Sequence, residues 1–345
     1  EYDGKPVNTV AEEGFTYLDV TRLHIPGSIK TIKPIGFYQL REMTDLEIEE
    51  GVERLETISF ASCYSVSEVR LPSTINYIGF NVFYRFYGLQ NIVIAQDNQT
   101  FKVEDGFVKS LDGTKLYTAI YPVVGNNCTI GKEVTWIAPG LFCDDNLLTS
   151  ITIDADLDYI GCGTFYQSGI QTVTINGVIK EIHGYTDVYT KYPMLNEREQ
   201  YNMMPYGAFE ATRSLTTLTF KDGLTYIGGG VMHGGSLTSI TLPDSLEQVA
   251  IDAFYCFGEP LHQTIKVVGN NANAKYYTID DSAFLQKGTD GDTLLYFAPA
   301  SKVKEFVISQ NVKDINYYAF YSNANLESVT VPEGITSLKY GVFSN

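Results

Sequence analysis

Apolar residues recur along most of the chain in a fixed order. An aliphatic–polar–aliphatic step is followed by Pro or Gly, then a second short apolar step ending near Ile-Gly, then a Phe. The clearest copy is "LTSITLPDSLEQVAIDAF" (237–254); "VSEVRLPSTINYIGFNVF" (66–83), "LLTSITIDADLDYIGCGTF" (147–165) and "LESVTVPEGITSLKYGVF" (326–343) repeat it. Phe37, Phe60 and Phe83 are 23 residues apart, as are Phe142 and Phe165, and Phe320 and Phe343; Phe254 follows Met232 by 22. Alternation across "SVTVP" sends Val329 and Val331 to one face and Ser328 and Thr330 to the other, which predicts a strand with one buried side. Pro72, Pro243 and Pro332 end that strand, because proline has no N–H to donate. A tight helical or turn segment carrying the Phe is expected to close each unit.

A period of this length marks a repeat architecture. One unit buries too few side chains to offset the entropy of ordering its backbone, so neighbours must stack with their strands in parallel. Twelve strand positions are countable, with outward residues His24, Glu47, Arg70, Val93, Thr129, Thr152, Thr174, Thr219, Thr241, Lys266, Val307 and Thr330. At ~4.8 Å per rung they predict a rod or arc of about 55–60 Å. Residues 1–17 supply the back half of a partial unit through Val10 and Phe15, so the chain reads as one solenoid domain over 1–345.

The unit is similar to that of the BspA-like leucine-rich-repeat family, close to LxxhxIPxxhxxIgxxAFxxC, and "LTSITLPDSLEQVAIDAFYC" (237–256) matches it nearly throughout. The likeness extends over about residues 9–345, with Pro, Gly or Asp where more familiar leucine-rich repeats have Asn. It implies a mostly-β, right-handed α/β-type superhelix of short parallel strands. It also implies a secreted or surface-displayed bacterial protein without enzymatic activity, adhering to host extracellular-matrix protein or to other cells.

Three stretches break the period. Residues 100–122 and 276–299 look alike, each with two alternating runs about Asp112-Gly113 or Asp290-Gly291, and are read as β-hairpins inserted at the same point of the unit. Such hairpins are either structural or a protruding ledge that shapes a partner's footprint. The third, 183–208, has no twin and carries Tyr185, Tyr189, Tyr192, Tyr201 and Tyr206. Tyrosines on a loop leaving a rigid scaffold suit recognition; the other reading is an inert cover on a flank of the solenoid.

Composition narrows the chemistry. Lys and Arg number 24 against 41 Asp and Glu, a net charge of −17 that repels nucleic acid and anionic lipid. No apolar run is long enough to span a membrane, and the first residues have no signal-peptide pattern. The chain stops at "GVFSN" within a unit, so flanking sequence is expected. Five dispersed cysteines form no CxxC pair. His24, His183, His233 and His262 make no catalytic or metal-binding spacing, and Asp154, Asp156 and Asp158 fall at the bend of a unit, where turn chemistry accounts for them. No catalytic residue, cofactor or metal is therefore expected.

The outer strand face is mixed and charged over the first three rungs, with Arg22, His24, Glu47 and Arg70 as candidates for contact with a protein partner, and threonine-rich beyond them. Adhesion competes with two other readings: a structural spacer within a larger surface protein, and a carbohydrate-binding protein.

Overall fold

The computed structural model describes residues 6–192, 206–255 and 262–344, and each rung is built from up to three short strands. All twelve expected positions are strands, from Arg22–Ile25 to Ser328–Thr330, and with the partial N-terminal unit the solenoid makes about 13 turns. Pairing is parallel and in repeat register, as in Leu23 with Leu46, Ile151 with Val173 and Ile240 with Ile265. A second ladder aligns Val10, Ile32, Leu55 and Ile78, and later Ile160, Ile182, Ile227 and Val249. Most stand five residues before a Phe, whereas Ile227 precedes Met232 and Ile182 precedes the insertion that leads to Phe209; all but the half-buried Val249 are buried.

The phenylalanines stack along the axis. Phe15, Phe37, Phe60 and Phe83 follow at 5.3, 5.1 and 6.0 Å between centroids. Phe142, Phe165 and Phe209 follow at 5.5 and 5.1 Å, and Phe297, Phe320 and Phe343 at 5.2 and 5.0 Å. The segment carrying the ring is not helical. Over the first rungs it is a two-residue parallel strand such as Phe37–Tyr38 or Phe60–Ala61, and elsewhere a turn; the helices among the described residues are Tyr121–Val124 and Asp187–Thr190. Left-handed φ values on both sides of the ring, Ile58 at 54° and Ser62 at 57° around Phe60, reverse the chain within too few residues for a helix.

The two insertions are more than hairpins. The first has three antiparallel strands, Phe101–Glu104, Phe107–Ser110 and Lys115–Ala119; the second has Tyr276–Ile279, Ala283–Gln286 and Asp292–Phe297. In each, the third strand pairs in parallel with the next rung, at Leu116 with Ile137 and at Leu294 with Ile315, so it doubles as a rung of the second ladder. Both faces of the middle strand are buried. Val108 packs into the N-terminal core with Phe101, whereas Phe107 packs into the central core with Leu116. In the second insertion Phe284 faces the central core and Ala283 and Leu285 the C-terminal one. Each insertion is thus a partition across the spine rather than a ledge beside it, and together the two separate the three main apolar clusters of the interior.

Candidate partner-binding site

The four charged candidates lie on neighbouring strands of the first ladder. Arg22 bridges Asp45 at 3.2 Å and Glu47 at 2.9 Å, His24 Nε2 lies 2.8 Å from Glu49, and Arg70 pairs with Glu68. The Gly27 amide and the His24 ring hold Glu49 below the ordinary carboxylate range. Water screens exposed pairs of this kind, which therefore hold weakly and can exchange partners. Thr129, Thr152 and Thr174 continue the face in strict register.

A second surface runs along the second ladder. Its rings sit one residue before the recurring Ile: Tyr77, Trp136, Tyr159 and Tyr226, all half-buried. Trp136 Nε1 donates to the Tyr159 hydroxyl at 2.7 Å, and Tyr159 stacks on His183 at 4.6 Å. Lys191 Nζ lies 4.4 Å over the Tyr226 ring, and the Tyr226 hydroxyl donates to Asp187 at 2.6 Å. His183 is buried, which pushes its pKa down. Its Nε2–H donates to Glu181 at 2.9 Å, so Nδ1 accepts from the Tyr192 hydroxyl at 2.7 Å. Against the cost of burial, hydrogen bonds from Lys191 and His183 keep Glu181 below its usual range.

The Tyr-rich insertion divides against this surface. Tyr192, a candidate for partner contact, is buried with 1% exposure between Phe80 and Tyr159, so that ring fastens the insertion to the flank and offers nothing to a partner. Tyr185 and Tyr189 stay 37% and 53% exposed. The Tyr185 hydroxyl donates to Asp252, and that bond, ahead of burial, pushes its pKa up to about 12. Tyr206 stacks on Tyr166 at 3.7 Å, and Tyr201 lies outside the described residues. Among the described residues, Tyr185, Tyr189 and Tyr192 therefore lie off the ladder that carries the charged candidates. The row of rings before the Ile was missed in the sequence, although Tyr77-Ile78, Trp136-Ile137, Tyr159-Ile160 and Tyr226-Ile227 display it. Among the described residues no group of three or more His, Cys, Asp or Glu is placed to hold a metal ion.

A solenoid of short parallel strands carrying stacked Phe and aligned Ile is a leucine-rich-repeat fold. Six copies of the BspA type leucine-rich-repeat region match residues 5–110, 121–192, 198–289 and 295–345, and the chain belongs to that family. The pneumococcal vaccine antigen PcpA shares the fold with a TM-score of 0.64 at 15% identity, over 96% of this chain and 72% of that one. A leucine-rich-repeat protein from Eubacterium ventriosum follows with a TM-score of 0.52 at 20% identity, over 71% of this chain and 61% of that one. A leucine-rich cell-surface protein from Faecalibacterium prausnitzii is 19% identical over 72% of this chain and 81% of that one, with a TM-score of 0.37. No curated protein matches the sequence.

Proposed function

We propose that the protein is a surface-displayed or secreted bacterial binding module that engages host matrix protein or another cell through its aromatic flank. The carrying observation is the line of half-buried rings, Trp136, Tyr159 and Tyr226, held on a strand ladder beside the exposed Tyr185 and Tyr189. Rigid aromatic side chains give large contact area at small entropic cost, and the scaffold already fixes their spacing. The charged end of the first ladder is a second contact face, acting on association rate more than on affinity. Family membership and the fold shared with a pneumococcal vaccine antigen support this reading.

The test is binding to immobilised collagen, fibronectin and laminin by the wild type and by a Tyr185→Ser/Tyr189→Ser variant with unchanged circular dichroism. The proposal expects binding that the double variant weakens by about tenfold or more, the loss of 1.4 kcal/mol or above. Equal binding by both proteins removes the flank from the account. Carbohydrate binding is the second reading, favoured by Glu181 lying in register between Tyr159 and Tyr226; hits on a glycan array with no binding to matrix protein would select it.

A further inference from the structure

Beside the first partition lies a cavity of about 200 Å³, partly open to solvent and lined for the most part by aliphatic and aromatic side chains. Phe83, Tyr84, Leu89 and Thr118 are among them. Several polar groups of the lining are engaged with their neighbours. The Tyr84 hydroxyl and Arg85 Nε donate to Asp144 at 2.8 and 2.9 Å, and the Tyr121 hydroxyl donates to the Cys143 carbonyl at 2.8 Å. The buried Asp145 accepts from the Leu147 and Leu148 amides at 2.9 and 3.2 Å. Apolar contact, rather than an ion pair, is therefore what these walls offer a ligand.

The second partition shows what fits such a place. Its register makes Tyr296 the counterpart of Thr118, since each opposes the residue before the register shift of the middle strand, Phe284 or Val108. Phe254 and Tyr255 stand where the earlier unit has Phe83 and Tyr84, the recurring ring and the residue after it. His262 takes the place of Leu89, three residues before the inward strand residues Ile265 and Ile92. The Tyr296 ring centroid lies 5.9 Å from that of Phe254 and 6.5 Å from that of Tyr255, and its hydroxyl is 2.6 Å from His262 Nδ1. Aromatic rings attract one another at such distances. The first partition keeps both ring neighbours and has a threonine where the third ring would be; about 200 Å³ stays open there, against about 10 Å³ beside Tyr296. An apolar cavity of about 150 Å³ is enough to admit benzene. Leu89 stands where the imidazole meets the hydroxyl, so the ring suited to the first site is a hydrocarbon one.

We propose that this cavity binds a phenyl ring from outside the chain, seated against Phe83 and Tyr84 as the ring of Tyr296 is seated against Phe254 and Tyr255. The assignment is independent of the adhesive reading. The ring comes either from a phenylalanine side chain of another protein or from a free aromatic molecule.

Calorimetric titration of the full chain with toluene tests it on the wild type and on Thr118→Phe, with circular dichroism to check that both are folded. We expect toluene to bind the wild type, and the ring introduced by Thr118→Phe to occupy the cavity and weaken binding about tenfold or more. Amide shifts in nuclear magnetic resonance spectra of the wild type keep the test intact if Thr118→Phe does not fold. Toluene should move the signals of residues 83–89 and 117–121 and leave those of 254–255 and 295–297 in place. No binding of toluene, shifts centred elsewhere, or undiminished binding by folded Thr118→Phe overturns the proposal. Nα-acetyl-phenylalanine methylamide separates the sources. Binding with the same shifts assigns the site to a protein side chain, failure where toluene binds assigns it to a free molecule, and either upholds the phenyl ring.

Discussion

The two partitions share one topology and differ in where their bulk sits. Both have three antiparallel strands, a register shift in the middle strand (Val108/Lys109 and Phe284/Leu285), and a third strand that rejoins the ladder. On the C-terminal face a cross-strand pair exchanges its ring: Phe107 opposite Ala119 in the first, Ala283 opposite Phe297 in the second. One large and one small residue fill the layer in either order. On the N-terminal face no such exchange occurs. Val108 opposes Thr118 in the first, whereas Phe284 opposes Tyr296 in the second. Thr118, where the second partition has the Tyr296 ring, lines a space of about 200 Å³ beside the first partition, against about 10 Å³ beside Tyr296 in the second. The fold thus permits a cavity at either site, and the side chain at this position helps decide which site has one.

The largest expected effect is at Phe284, whose ring lies 5.3 Å from that of Tyr276 and 5.5 Å from that of Phe254. Phe284→Ala should cost about 3–5 kcal/mol in urea denaturation; a surface ledge would lose within about 0.5 kcal/mol. Tyr296→Thr should open the second partition like the first and cost about 2–4 kcal/mol, because its buried ring and its 2.6 Å contact with His262 Nδ1 are both lost. A nuclear magnetic resonance structure that still has no cavity there would break the comparison.

Asp145 gives the next effect, through pH. Burial pushes its pKa from 3.8 up to about 6, and the Leu147 and Leu148 amides offset this only in part. The folded chain therefore holds the proton more tightly than the unfolded one. This contribution to stability is present below pH ~4 and is lost as pH rises through ~6. All other groups are common to wild type and Asp145→Asn, so the difference between the two proteins isolates Asp145. From pH 4 to pH 8 thermal denaturation should move in favour of Asp145→Asn by about 2–3 kcal/mol, at 1.36 kcal/mol per pKa unit. A constant difference between the two proteins would mean that the carboxylate is not desolvated. Smallest is Arg22→Ala: its bridges are exposed, so stability should change by less than about 1 kcal/mol and converge with wild type at high salt.

Periodicity in the sequence made the solenoid legible: the twelve strands, the Ile ladder and the Phe stack are all spaced by it. The closing segment was legible in part: the expected turn occurs in the later rungs, where Gly140 and Gly163 stand before the ring, but not the strands of the early rungs, where the left-handed positions are Ile35 and Ile58. The partitions were read with one turn too few. "VEDGFV" passes for part of an alternating run, yet Asp105 and Gly106, at φ 53° and 80°, reverse the chain there. Tyr192 could not be told from Tyr189 by residue type, since burial depends on which ring meets Phe80 across the rungs. Asp145 stands three residues after a ladder Phe, the place of Cys63 in its own unit, so a comparison of aligned units could have found it. The cavity beside it depends on contacts between rungs and had no local signal.

The central claim is that the inserted strands cross the spine. Amide hydrogen exchange of Phe107–Ser110 and Ala283–Gln286 measures it directly. The account predicts protection equal to that of the ladder strand Ser150–Ile153. Exchange as fast as that of an exposed hairpin would contradict it.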